Sequence, residues 1–293
     1  MRDMQISHRK IDVTFRLGTG QFGEGAYNTV TVSGLRVQCN VADANGPQMG
    51  LAQVRIYGIT PSIMKTVSAL NEAVQASRKN ILIVSAGDDL SGMATIFGGQ
   101  IRLCQIDLSA PPYAALNVMA FGGGFEALKT TVPSSYPGTA KAEVILQDLA
   151  TRMKYKLEKT LGTTATLATP YLSGTLRDQV QQCADAAGFD WNIFNDTLAI
   201  WPRGKARNGT SVPLISKETG LVGYPSYSSG TFQGLALTTV FNPTLRIGQQ
   251  IKVQSSLDVA NGAWLVYDLN HSLESETPEG QWFSRFNAIG LTQ

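Results

Sequence analysis

Apolar and polar residues alternate along the first 120 or so positions. Ile11, Val13, Phe15 and Leu17 fall on one face of residues 11–17, the period-two pattern of a half-buried strand. The same reading predicts strands over 29–32, 35–41, 53–57, 81–85, 95–104 and 115–121, with glycine and asparagine between them. Short strands at this spacing predict a sandwich or barrel. One short helix is expected to interrupt them. Thr60 can cap it, Pro61 fits its first turn, and Ile63, Val67 and Leu70 share a face.

Residues 121–125 read FGGGF, and Pro133, Pro137 and Gly138 follow. That is linker composition and predicts a boundary. The period then changes. Ile145, Leu149 and Met153 form one helical stripe over 141–153, and Leu176, Val180, Cys183, Ala184 and Ala187 form a second over 176–187. Thr175 and Asp178 make a T-x-x-D capping box, and Gly188 stands where a left-handed C-terminal residue is wanted. The string FDWNIFNDTLAIW, 189–201, reads as a hairpin turning at Asn195 and Asp196. Residues 140–202 therefore predict a compact α+β module. After a polar loop at 203–210, strands are expected at 230–241, 250–254, 262–271 and 282–291, with no helical pattern. The expected fold class is mainly β with an α+β module: two β-barrel or sandwich domains flanking a small two-helix plus hairpin domain. The expected divisions are 1–122, an N-terminal β-barrel domain with one short helix; 123–205, linker and α+β module; and 206–293, a C-terminal β-barrel domain.

Composition narrows the function. Charged residues make up 16% of the 293, against about 25% in an average soluble domain. Glycine is abundant, at 29 residues. Low charge with many turns fits β structure and also fits surfaces that meet other subunits, where charge is depleted. The net charge is +2. The densest basic groups, Arg203–Lys205–Arg207 and His8–Arg9–Lys10, are small, so specific nucleic-acid binding is not expected. Cys39, Cys104 and Cys183 are odd in number and form no C-x-x-C. They read as buried thiols of a protein made in a reducing cytoplasm, not as a zinc site or disulfide framework. The start, MRDMQISHRK, has no apolar signal region. No run of about 18 apolar residues predicts a membrane span.

One string argues for chemistry. Gly18, Gly20 and Gly23 make G-x-G-x-x-G, as in the loop a kinase folds over nucleotide phosphates. A kinase also needs a strand lysine, an H-R-D-type loop and a D-F-G aspartate. The two histidines, His8 and His271, precede no Arg-Asp, and Gly188-Phe189-Asp190 has the wrong order. The expectation is a glycine-rich connection between two strands. No crossover helix follows the glycines, so a dinucleotide site is not predicted either. Walker A and G-x-S-x-G strings are absent. Glu274, Glu276 and Glu279, with Asp268 nearby, could supply paired carboxylates, but they read as a solvated hairpin loop. His271 reads as a structural histidine at a strand end, and Trp191, Trp201, Trp264 and Trp282 as core or interface packing. No catalytic, cofactor-binding or metal-ligating residues are assigned.

The block order and several strings resemble the baseplate hub protein of contractile-tailed bacteriophages, and the related hub domains of type VI secretion spike proteins. The resemblance lies in ISKETGLVGYPSYSSGTFQGLALTTVFNPTLRIGQQIKVQSS, with Thr219-Gly220-Leu221, Pro225 and the turn Asn242-Pro243-Thr244-Leu245-Arg246-Ile247-Gly248. NGAWLVYDLNHSLESETPEGQWFSRF resembles the family's closing hairpin, with His271 and Trp282 at its landmarks. VRIYGITPSIMKTV, then ILIVSAG and IFGGQI, resemble the first barrel. This implies a non-enzymatic structural virion protein, without cofactors, in the tail baseplate and made in the host bacterial cytoplasm. It implies a homotrimeric ring of two barrels per copy, a pseudo-sixfold adaptor between tail tube and trimeric spike, with baseplate wedge and tape measure proteins as further partners. Neither the extra domains nor the fused lysozyme of some longer hubs is expected in these 293 residues. The competing expectation is a β-rich tail-tip module that contacts a host glycan or receptor; a third is an enzyme, phosphotransferase or cell-wall hydrolase.

Overall fold

The computed structural model describes residues 8–25, 27–69, 71–109, 114–124, 129–160, 162–208, 211–228 and 234–291. They fall into two compact units. The first holds the chain up to Val41, Leu51–Gly122 and His271–Trp282; the second holds Ala42–Gly50, Gly123–Asn270 and the chain from Phe283 onwards.

The first unit is built on β1 (Arg9–Arg16), β2 (Thr29–Val32), residues 37–41 of β3 (Val37–Ala44), β4 (Leu51–Tyr57), β5 (Ile81–Asp88), β6 (Gly92–Asp107) and β7 (Ala115–Phe121). Their order is β3-β4-β7-β6-β5-β1-β2. Alternation does the work the sequence assigns to it. Ile11, Val13 and Phe15 lie opposite Ala86, Val84 and Leu82, and all six are buried. A one-residue slip would turn this whole set to solvent. The mainly β class holds, but the described strands form an open sheet rather than a closed barrel. Closure needs the last strand to pair with the first, and β2 is four residues long and pairs with β1 on one side.

Two short helices stand where one was expected. In α1 (Pro61–Val67) Pro61 opens the helix and Met64 and Val67 are buried, while the Thr60 side chain makes no capping bond. Leu70 lies outside the described residues. In α2 (Glu72–Arg78) the Asn71 side chain accepts from Val74 N at 3.0 Å. The glycine-rich string joins β1 to β2. Leu17 N donates to Asn28 O at 2.8 Å, and Gly18 N donates to Asn80 Oδ1 at 3.2 Å.

The second unit begins its regular structure with β8 (Ser134–Ser135), β9 (Thr139–Lys141), α3 (Ala142–Met153), β10 (Lys156–Lys159), β11 (Thr166–Ala168), β12 (Tyr171–Leu172), α4 (Leu176–Ala187), β13 (Phe189–Phe194) and β14 (Thr197–Pro202). The capping box forms as read: Asp178 N donates to Thr175 Oγ1 at 3.1 Å and Thr175 N donates to Asp178 Oδ2 at 2.9 Å. Gly188 ends α4 at φ 70°. Asn195 and Asp196 turn the β13–β14 hairpin at φ 46° and 56°, the two positive values a tight hairpin needs. Ile145, Leu149, Met153, Val180, Cys183 and Trp191 meet in one core.

The same unit continues through β15 (Leu214–Ile215), β16 (Ser226–Ser228), β17 (Gly234–Val240), β18 (Gln250–Val253), β19 (Gly262–Ser275) up to Asn270 and β20 (Trp282–Gly290) from Phe283. The order is β16-β17-β20-β19, with β18 also against β19 and β15 parallel to β18. The expected strand start at 230–233 lies outside the described residues. A second core gathers Trp201, Ile215, Leu237, Leu245, Ile251 and Phe286.

Candidate assembly surfaces

The 42–50 segment of the second unit is held by many hydrogen bonds. Arg177, on the first turn of α4, is 7% exposed. It donates to Pro47 O at 3.1 Å, Gln48 O at 2.5 Å and Gly46 O at 3.4 Å, and its guanidinium lies 5.0 Å from the Trp191 ring centroid. From β13, Asn192 Nδ2 donates to Asp43 Oδ1 at 3.1 Å and Ala44 O at 3.0 Å. Gly46 N donates to Trp191 O at 2.8 Å and Asn45 N to Tyr267 O at 3.1 Å. Four carbonyls, a carboxylate and two amides of one short segment are therefore held by side chains and backbone far away in sequence.

Asp43 pays for this arrangement electrostatically. The residue keeps some exposure, but its carboxyl is enclosed. Desolvation pushes its pKa up to about 6, against bonds from Asn192 and Ala44 N and the charges of Arg177 and Arg207, which pull it down. In the unfolded chain the group titrates near 3.8. The folded form therefore binds the proton more tightly, and stability is lost as pH rises from about 4 through 6. Asp43→Asn, which keeps an acceptor for Ala44 N, is expected to stabilise the protein at pH 7 by on the order of 1–3 kcal/mol. The gain should shrink at pH 5; thermal unfolding of both proteins at the two pH values measures it. An equal gain at both would show that Asp43 does not titrate in this window.

A second node explains the N-P-x-L-x-x-G string. Thr244 N donates to Asn242 Oδ1 at 3.0 Å, an Asx-type turn. Arg246 Nη1 donates to Pro243 O at 2.7 Å and Leu245 O at 2.8 Å. Leu245 and Ile247 are buried, and Gly248, at φ 77°, lies against the Trp201 ring. Arg207 caps the cluster. Its Nε and Nη2 make a two-point pair with Glu158 at 2.6 and 2.7 Å. That pairing holds the Glu158 carboxyl below its usual range.

The acidic string does not assemble into a pair. Glu276 faces His8 at 2.9 Å. Glu274 Oε1 accepts from Gln38 Nε2 at 3.4 Å. Asp268 accepts Asn287 N at 2.9 Å and Asn287 Nδ2 at 2.7 Å. His271 is buried within β19. Burial pushes all three cysteine thiols up to about 12, as buried thiols should behave. Trp191, Trp201 and Trp282 are buried, as strand packing requires. In the first unit, Gln38, Asn40, Gln53, Asn117 and Gln281 line an open groove of about 540 Å³; Arg55, also on its lining, pairs with Asp107 at 2.7 Å. The groove mixes these amides with apolar side chains such as Val54, Leu103 and Met119. Among the described residues no three His, Cys, Asp or Glu side chains are grouped to hold a metal, and no helix is long and apolar enough to cross a membrane.

The described strands thus form open, mostly antiparallel sheets, and the second unit adds a small α+β module. The prophage MuSo2 43 kDa tail protein of Shewanella oneidensis has this fold, with TM-score 0.60 and 7% identity over 95% of this chain and 98% of that one. A tail protein of Neisseria meningitidis matches equally well, with TM-score 0.60 and 10% identity over 95% and 96%. The E. coli c3393 protein matches with TM-score 0.59 and 12% identity over 88% and 74%; it is a type VI secretion component similar to the T4 bacteriophage tail proteins gp27 and gp5. No curated protein sequence matches the chain. The family model for Baseplate hub gp41 matches residues 10–282, and the chain belongs to that family. It is a structural protein of phage-like tails, a component of the baseplate hub.

Proposed function

We propose that the chain is the central hub of a tail baseplate, a homotrimeric ring that joins a sixfold tail tube to a threefold spike. The observation that carries this reading is the division of one chain into two sheet-bearing units. Three copies then present six, which meets sixfold symmetry on one side while the ring stays threefold on the other. Residues 1–122 and 206–293 supply the repeated units in this reading, and 123–205 spaces them. Membership of the hub family supports it, as does the fold shared with chains solved in Francisella PdpA–VgrG complexes. The 16% charge content suits a protein with two side interfaces per copy. The tube protein and the spike are the direct partners, with wedge and tape measure proteins beyond them. The role is mechanical and needs no catalysis. The assembled protein resides in the virion after synthesis in the bacterial cytoplasm.

Purified tail tubes mixed with the protein test this by electron microscopy. Density capping one tube end is the expected image. Bare ends, or decoration along the tube wall, would contradict it.

A further inference from the structure

A folded chain usually protects its sheet edges with charge or with a covering segment. Among the described residues, two edges lack both. In the first unit, β2 is the end strand, and the run Tyr27-Asn28-Thr29-Val30-Thr31-Val32 carries no charged residue. The Leu17 N to Asn28 O bond and the Phe15–Val30 register set the ladder phase. Val30 and Val32 then turn their backbone groups to β1, and Thr29 and Thr31 turn theirs outward. In the second unit, β16 is the end strand beside β17, within the uncharged run 220–228. The other short edge of that unit, β15, is closed locally, since Leu214 O accepts the Thr219 hydroxyl at 2.7 Å.

Both open edges carry aromatic side chains in solvent. Tyr27 is 75% exposed beside β2; Tyr224 and Tyr227 are 77% and 65% exposed beside and on β16, with Val222 and Val240 exposed near them. Tyrosine is a residue of binding surfaces because a large apolar body ends in a polar tip. The edges match in length, four residues against three. They are also too short to hold a free peptide strand well, so the partner must bring further surface with it. A second copy of this chain does so, and each copy carries one edge of each kind.

We infer that β2 of one copy pairs with β16 of the next, adding strand to strand around the ring. The inference rests on the trimeric-ring reading and names its contact. The pairing is heterologous, because the two edges differ, and so closes into a ring or runs on as a filament.

Two variants dissect it. Thr31→Pro removes an outward donor from β2 at a position that does not bond β1, where proline is tolerated. Tyr227→Lys charges β16. Light scattering at rising concentration should find wild type as a trimer and each variant alone at 31.5 kDa. Mixed one to one, each variant contributes its intact edge. The mixture should then stop at a single contact, a dimer of about 63 kDa, twice 31.5 kDa. That dimer would also prove both variants folded. Trimers from either variant alone would overturn the edge contact and leave the ring reading standing. A mixture that stays monomeric while wild type trimerises would overturn it too. Wild type that remains monomeric with and without a spike would remove the ring reading itself.

Discussion

Arg177→Ala is expected to destabilise the second unit by about 3–5 kcal/mol, the scale seen when one partner of a buried charged network is removed. Three carbonyls, of Gly46, Pro47 and Gln48, lose a charged donor at once. The Asp43 carboxyl loses a neighbouring cation that now opposes its desolvation. The Trp191 ring loses the guanidinium above it. Alanine also leaves a hole beside Gly123, where a β-carbon would lie 2.8 Å from Arg177 Nη1. The unfolding temperature should fall by about 10 °C. Amide exchange at Gly46 and Asn45 should speed up, since their bonds to Trp191 O and Tyr267 O depend on the loop staying down. Arg177→Lys should recover only part of the loss, because a single ammonium cannot reproduce the planar fork that reaches three acceptors. An alanine variant that melts within about 2 °C of wild type would contradict the clamp.

Gly248→Ala should be nearly as damaging. Gly248 sits at φ 77°, and a β-carbon there would lie 2.6 Å from two atoms of the Trp201 ring. A left-handed residue other than glycine costs about 1 kcal/mol. Overpacking a filled core adds about 1–3 kcal/mol more. Trp201 cannot simply yield, because it is 1% exposed and packed in the core with Leu245, Ile247 and Ile251. The sum, about 3 kcal/mol, should appear as a lower midpoint in urea with an unchanged slope. Gly248→Ala combined with Trp201→Phe should recover part of it, since the smaller ring opens space at the contact. Equal midpoints for the single variant and wild type would show that the turn is not built around this contact.

Local signals were the legible ones. The α4 capping box, Gly188 and the β13–β14 turn each involve residues within a few positions, and each forms as the sequence implies. The apolar strands are legible for the same reason, since alternation is a local property. Helix α2 is not, because it lacks an apolar stripe: its buried residue is Gln75, while Val74 is 41% exposed. Strand β10 reads Lys-Leu-Glu-Lys and exists because it pairs in parallel with β14, some forty residues on. Nothing in an alternating pattern says which strand ends a sheet, so the open edge at β2 could not be told from a closed barrel. The Arg177 clamp spans 129 to 131 positions, a distance at which sequence pattern is silent. The N-P-x-L-x-x-G string was visible as a family likeness, but its physical reason, glycine against the Trp201 ring, appears only in three dimensions.

The central claim is the copy number of the ring, and mass in solution tests it most directly. Light scattering behind a sizing column, with and without the spike, should give three copies of 31.5 kDa, about 94.5 kDa, for the chain alone or its spike-bound part. A chain that stays at 31.5 kDa in both conditions would contradict the account.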